Sequence, residues 1–186
     1  MKKQRYKKGD WVRLGQSELA RSGPEAVKLE AICDAAGLTR GSFYHHFDDH
    51  ETFLIALAED WFETQTVEVA NTIDTTAAAA DQGAMLTDAA LAIDFKLELG
   101  VRELARRLPC VKEIVAKADK VRQNVLTDIY KKRFQLDDGT AEAFAYLEYA
   151  AFSGIILIDP EMDEARQRHL ASLYENAMCR FLGEGK

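Results

Sequence analysis

Nine residues, Thr39 to Phe47, constrain this chain more than any other stretch. They read Thr39, Arg40, Gly41, Ser42, Phe43, Tyr44, His45, His46, Phe47, and they follow Ala35-Ala36-Gly37-Leu38. The preceding segment is a helix that stops on a glycine, and Thr39 is a residue able to cap a new one. At about 100° per residue, Phe43 and Phe47 fall on one face, flanked by Thr39 and His46. Gly41, Ser42, Tyr44 and His45 fall on the other. One face is aromatic and buriable; the other offers hydrogen-bond donors with little bulk and no negative charge. A short helix of that kind suits contact with an anionic surface. The spacing predicts a helix-turn-helix that meets DNA.

The rest of the sequence supports an all-α fold. Pro and Gly are sparse, Ala, Leu, Glu and Lys are frequent, and no period-2 run of β-branched residues is long enough to predict a sheet. A net charge of −7 would argue against nucleic acid, but the charge is unevenly placed. Through Phe47 there are nine Lys/Arg, including Lys2, Lys3, Arg5, Lys7 and Lys8, against five acids. That stretch is +4 and the remainder −11. A cationic head on an acidic body is expected when only one end meets phosphates. Cys33, Cys110 and Cys179 are odd in number and widely spaced, which fits a reducing cytosol. No N-terminal segment reads as a signal peptide. The apolar run Ala143–Ile158 is short and interrupted by Glu148, so it is not expected to cross a membrane. The expected location is cytoplasmic.

Periodicity predicts a first helix from about Asp10 to Arg21, ended by Ser22-Gly23-Pro24, and a second over Leu29–Ala36. A fourth begins near Asp49, with Asp48 or Asp49 as cap, and runs past Trp61 and Phe62 toward Asn71. Thr75–Gly83 reads as a loop or a weak helix end. Further helices are expected over Met85–Gly100, apolar on two faces and therefore central, then Val101–Leu108, Pro109–Phe134, Gly139–Ile158 and Met162–Leu182. The expected division is a DNA-binding domain at 1–48 with a basic arm, and a helical effector-binding and dimerisation domain at 49–186. The last two helices carry small residues (Ala150, Ala151, Ser153, Gly154) and a wide apolar stripe (Leu170, Leu173, Tyr174, Ala177, Met178, Phe181). Such faces are expected to pair with a second copy of the chain.

The head resembles the DNA-binding domain of the TetR family of bacterial transcriptional regulators. The resemblance rests on Ile32-Cys33, Ala36-Gly37-Leu38, Thr39-Arg40-Gly41-Ser42 and Phe43-Tyr44-His45-His46-Phe47. It implies a homodimeric repressor that leaves a near-palindromic double-stranded operator when a small-molecule effector binds. Lys28, Thr39, Arg40, Gly41, Ser42, Tyr44, His45 and His50 are the expected DNA contacts. Thr39 can cap the helix where its dipole favours phosphate, and Arg40 can donate two parallel bonds to a guanine edge. Gly41 allows close approach, and the other side chains supply donors. His50 stands near the position where the family commonly places a lysine.

Trp61, Phe62, Phe95, Tyr130 and Phe152 are the aromatic candidates for an effector pocket. His46 and His50 are spaced for a shared metal, but no cysteine completes a set, so neither a metal nor another cofactor is expected. Helical-surface carboxylates such as Glu98, Glu103 and Glu148 are present without any nucleophile–base pattern or phosphate loop. An enzyme is therefore not expected. The remaining alternative is a structural helix-turn-helix dimer that answers to no ligand.

Overall fold

The computed structural model describes residues 6–183. Ten α-helices are formed among them: α1 (Lys8–Ser22), α2 (Leu29–Ala36), α3 (Arg40–Tyr44), α4 (His50–Phe62), α5 (Glu68–Asn71), α6 (Ala79–Leu91), α7 (Phe95–Ala105), α8 (Pro109–Phe134), α9 (Asp138–Ile158) and α10 (Glu164–Leu182). A 3-10 turn, Pro24–Val27, joins α1 to α2, and a π-helical turn, Glu63–Val67, joins α4 to α5. No strand occurs among the described residues, and the fold is all-α. The chain divides into two compact units, Met1–Thr64 with Lys96–Lys117, and Gln65–Phe95 with Ala118–Lys186. Lys2, Lys3 and Arg5 of the expected basic arm lie outside the described residues.

The first unit is organised around aromatic rings. Phe43 meets Trp11 and Phe53 edge-on at centroid separations of 5.4 and 5.3 Å, and Phe47 lies 5.2 Å from Phe53. All four rings are buried, with Leu19, Ile32, Leu57 and Trp61 completing the core. Edge-to-face pairs of this kind add to the area buried, so a five-residue helix is held in one orientation by a single side chain. Close approach of α1 to α4 depends on Gly15. A Cβ there would lie 2.6 Å from Phe53 Cζ and 2.9 Å from Leu57 Cδ1.

The turn between α2 and α3 requires Gly37 for a different reason. Its φ of +63° is left-handed, the conformation that a side chain disfavours, although nothing lies within 4 Å of a Cβ placed there. The N–H groups of Gly37 and Leu38 return to the carbonyls of Asp34 and Cys33, closing α2. Helix α3 is shorter than the Thr39–Phe47 span expected. The backbone is already extended again at Asp49, at φ −149°, where the carboxylate accepts the Thr52 N–H at 2.7 Å. The cap of α4 is thus Asp49, and the chain must leave α3 to reach it.

In the second unit, Leu126, Tyr130, Ala141, Ala145 and Tyr149 form a core cluster backed by Leu86, Phe134, Phe144 and Phe152. The expected helix Met85–Gly100 is two helices, α6 and α7, broken at Ala92–Asp94. The break divides each expected face between the two helices: Leu91 ends α6 and Phe95 opens α7, while Leu86 lies on α6 and Leu97 on α7. The Asp94 N–H donates to Gln65 Oε1 at 3.1 Å, fixing the break. Residues 79–83, expected to be loose, open α6, because buried Gln82 donates to the carbonyls of Ala77 (2.8 Å) and Thr75 (3.3 Å).

Helix α9 is long and apolar enough to cross a bilayer by length and composition alone. Ala141, Ala145, Tyr149 and Ile156 bury its inner face. Its outer face and that of α10 remain uncovered. Six of the eight exposed large apolar residues among those described (Tyr146, Leu147, Leu157, Ile158, Leu173, Phe181) lie on these two helices. That concentration sets the face apart from scattered surface residues.

Candidate nucleic-acid interface and body cavity

The geometry of α3 separates its two faces as its sequence requires. Phe43 and Phe47 are buried, His46 is half-buried, and Arg40, Gly41, Tyr44 and His45 are exposed. Ser42 is half-buried at the helix start, where its N–H donates to Thr39 Oγ1 at 3.3 Å. Thr39 is the N-cap, its hydroxyl oxygen accepting that bond. A Cβ on Gly41 would find its nearest neighbour, Thr39 Oγ1, at 3.7 Å, an ordinary contact. The protein itself therefore does not need a glycine at 41.

Two of the expected DNA-contacting cations are engaged with acids. The Arg40 guanidinium bonds to the carboxylate of Glu30 on α2, and Lys28 pairs with Glu25. Arg107, on the turn after α7, reaches the same Glu25 at 3.1 Å. Bonds from Lys28 and Arg107 hold the Glu25 carboxyl below the usual range. Glu30, Glu25 and Arg107 did not emerge as partners in the sequence, because they are distant in the chain or lie on the far side of a turn.

His50, expected as a phosphate donor, is 2.7 Å through Nε2 from the carbonyl of Val27. With Nε2 protonated, the ring donates to that carbonyl and ties the start of α4 to the 3-10 turn. The position that lacks a lysine is thus held by a backbone contact. Lys7 and Lys8 are exposed at the head, and Lys8 Nζ sits 5.4 Å above the Phe47 ring.

The second unit holds a partly open cavity of about 440 Å³ among α6, α8, α9 and α10, within the range of small-molecule pockets. Phe95, Tyr130 and Phe152 line it, together with Leu86, Leu126 and Ile129. Trp61 and Phe62, the other two aromatic candidates, are not in its lining. Trp61 is fully buried in the core of the first unit.

Four charged residues reach the cavity: Arg122, Arg133, Glu148 and Glu175. Arg122 donates to Thr66 Oγ1 (3.0 Å), the Gln65 carbonyl (3.1 Å) and the Tyr149 hydroxyl (3.4 Å). Two of those acceptors lie in the π turn. Arg133 pairs with Glu175 at 2.9 Å. Glu148 accepts from the Tyr130 hydroxyl at 2.7 Å, and burial pushes its carboxyl up. A signal for Glu148 was visible in the sequence as the one charge inside Ala143–Ile158. Its chemistry was not legible until the helix acquired an inside.

Comparison with known proteins agrees with this layout. Residues 15–57 match the profile of the bacterial regulatory proteins of the tetR family. No curated protein matches the chain. Solved structures share the fold over nearly its full length. A transcriptional regulator from Rhodococcus sp. Rha1 has a TM-score of 0.82 at 14% identity, covering 97% of this chain and 100% of its own. A putative transcriptional regulator from Saccharomonospora viridis, in complex with choline, has a TM-score of 0.77 at 14% identity, covering 93% and 95%. The ketosteroid transcriptional regulator of Mycobacterium tuberculosis has a TM-score of 0.70 at 19% identity, covering 96% and 95%.

Proposed function

For a chain that belongs, through residues 15–57, to the tetR family of bacterial regulators, we propose a homodimeric repressor that a small molecule releases from its operator. The observation that carries the DNA-reading part is the two-faced α3. Phe43 is anchored among Trp11, Phe47 and Phe53, so Arg40, Ser42, Tyr44 and His45 are presented on a fixed scaffold. Two such helices would enter successive major grooves about 34–36 Å apart on a near-palindromic site. Thr39, Gly41 and Lys28 would support the entry, with Lys28 and the N-terminal lysines on phosphates. His50 acts by holding α4 to the Val27 carbonyl.

The apolar outer faces of α9 and α10 supply the dimer contact. The functional division is then a reader at 1–48 and an effector and dimer region at 49–186. The cavity supports a ligand-responsive protein over a purely structural DNA-binding dimer, and a similar regulator was solved with a small organic molecule, choline. By linkage, the effector must bind the DNA-incompetent form more tightly. The protein acts in the cytoplasm, where the DNA is.

The test is a gel shift with the double variant Arg40→Ala, Tyr44→Ala on a duplex selected by the wild type. Loss of the specific complex in a folded double variant is expected. Full-strength binding would sink α3 as the reader.

A further inference from the structure

We propose that the body cavity takes an organic cation, an amine or ammonium group on an apolar body, with Glu148 as the counter-charge. This rests on the reading of the cavity as an effector site and adds the chemistry of its occupant. Among the four charged side chains at the cavity, three are committed to partners of the protein. Arg122 donates to three protein oxygens, and Arg133 and Glu175 neutralise each other.

Glu148 differs. Its one hydrogen-bond partner among the described residues is the neutral Tyr130 hydroxyl, on one carboxylate oxygen, and the Arg133 charge that also acts on it is paired with Glu175. A buried carboxylate with no ion-pair partner of its own is costly, and it is relieved by taking a proton or a cation. Burial already raises its affinity for the first. A ligand cation supplies the second and buries an apolar body in the same event.

The walls suit such a head group. Tyr130, Phe134 and Tyr174 all line the cavity; the first two rings lie 5.6 Å apart, and the Tyr174 hydroxyl is 3.5 Å from that of Tyr130. Aromatic faces and phenol oxygens attract a desolvated cation. An anion would meet Glu148 with both guanidinium groups already in use. A neutral ligand would leave the charge uncompensated.

The experiment uses the full chain and three probes of one shape: phenylbutylamine, phenylbutanol and phenylbutyrate, titrated by calorimetry at neutral pH. The amine is expected to bind about tenfold or more tighter than the alcohol, which corresponds to about 1.4 kcal/mol. The carboxylate is expected to bind weakest. In Glu148→Gln the amine loses that preference while the alcohol keeps its affinity. Equal or tighter binding of the alcohol or the carboxylate to wild type overturns the proposal, as does absence of saturable amine binding. Neither outcome depends on the variant folding. Retention of the amine preference in folded Glu148→Gln overturns it too. Release of operator DNA is read separately. Amine binding without release upholds the cation site and counts against the repressor reading, whereas release by the alcohol alone does the reverse.

Discussion

If Arg40 reads DNA as proposed, its ion pair with Glu30 competes with that contact and acts as a brake on binding. Replacing Glu30 with Gln removes the competing carboxylate and a negative charge beside the phosphates, while keeping size and polarity. The magnitude follows from exposure: the two side chains are 60% and 76% exposed, which puts the pair among surface salt bridges. Such pairs contribute about 0.2–1 kcal/mol, so a loss of ~0.5 kcal/mol per head is the central expectation. Two heads on one operator give about 1 kcal/mol, or roughly fivefold tighter binding. Stability falls by the same small amount, a shift of about 1–2 °C in Tm.

The assay is fluorescence anisotropy on a labelled duplex selected by the wild type, over a series of salt concentrations. The gain should shrink as salt rises, since salt already weakens the pair. Unchanged affinity at low salt would falsify the idea that Arg40 leaves Glu30 to read DNA. Weaker binding would mean that Glu30 itself touches the duplex, which also refutes the reasoning.

Three further outcomes are expected. Gly41→Ala should fold as well as wild type or up to ~1 kcal/mol better, since a methyl fits at 3.7 Å and alanine favours helix, yet lose operator affinity in the same anisotropy assay. Gly15→Ala should do the opposite, retaining the reading face but lowering Tm. Its Cβ would collide with Phe53 and Leu57, and overpacking costs about 1–3 kcal/mol. Leu157→Glu with Phe181→Glu should give a folded monomer by sedimentation that binds a half-site only weakly; a dimer of unchanged strength would move the interface elsewhere.

The pH dependence of the body carries a fourth expectation. Glu148 sits with Tyr130 and Arg133 of α8 and Tyr174 and Glu175 of α10, and burial raises its carboxyl above the ordinary 4.5. The folded state then holds a proton that the unfolded state releases. This contribution therefore weakens stability as pH rises from about 4.5 toward the raised value. Glu148→Gln should flatten that slope in urea titrations, and an identical slope in the variant would refute it.

The head was legible in the sequence because its constraints are local. Gly37, Thr39 and the Phe43–Phe47 spacing each act within a few residues, and the folded chain uses them that way. The length of α3 was not, since it is set by where Asp49 must cap the next helix. The body was harder for a physical reason. Leu91 and Phe95 fall four residues apart, as one helix would place them, although the chain breaks between them where the Asp94 N–H turns to Gln65. Ring type alone could not sort Trp61 from Tyr130, because both are buried aromatics and only the packing decides which one faces a cavity. The bond of His50 to the Val27 carbonyl joins residues 23 apart and left no signal in the sequence.

The π turn after α4 also affects how the chain tolerates changes in length. Buried residues along that helix run Phe53, Leu57, Trp61 and then Thr66, a final step of five where an α-helix takes three or four. One surplus residue is accommodated there, where Arg122 donates to the Gln65 carbonyl and the Thr66 hydroxyl. Removing a residue between 62 and 65 would turn the surplus into ordinary α-helix and keep both apolar stripes facing inward. The same deletion between 53 and 61 would rotate everything after it by about 100° and expose Trp61 or Leu57. Length variation among sequences of this fold should therefore gather at this turn and be scarce one helical turn earlier.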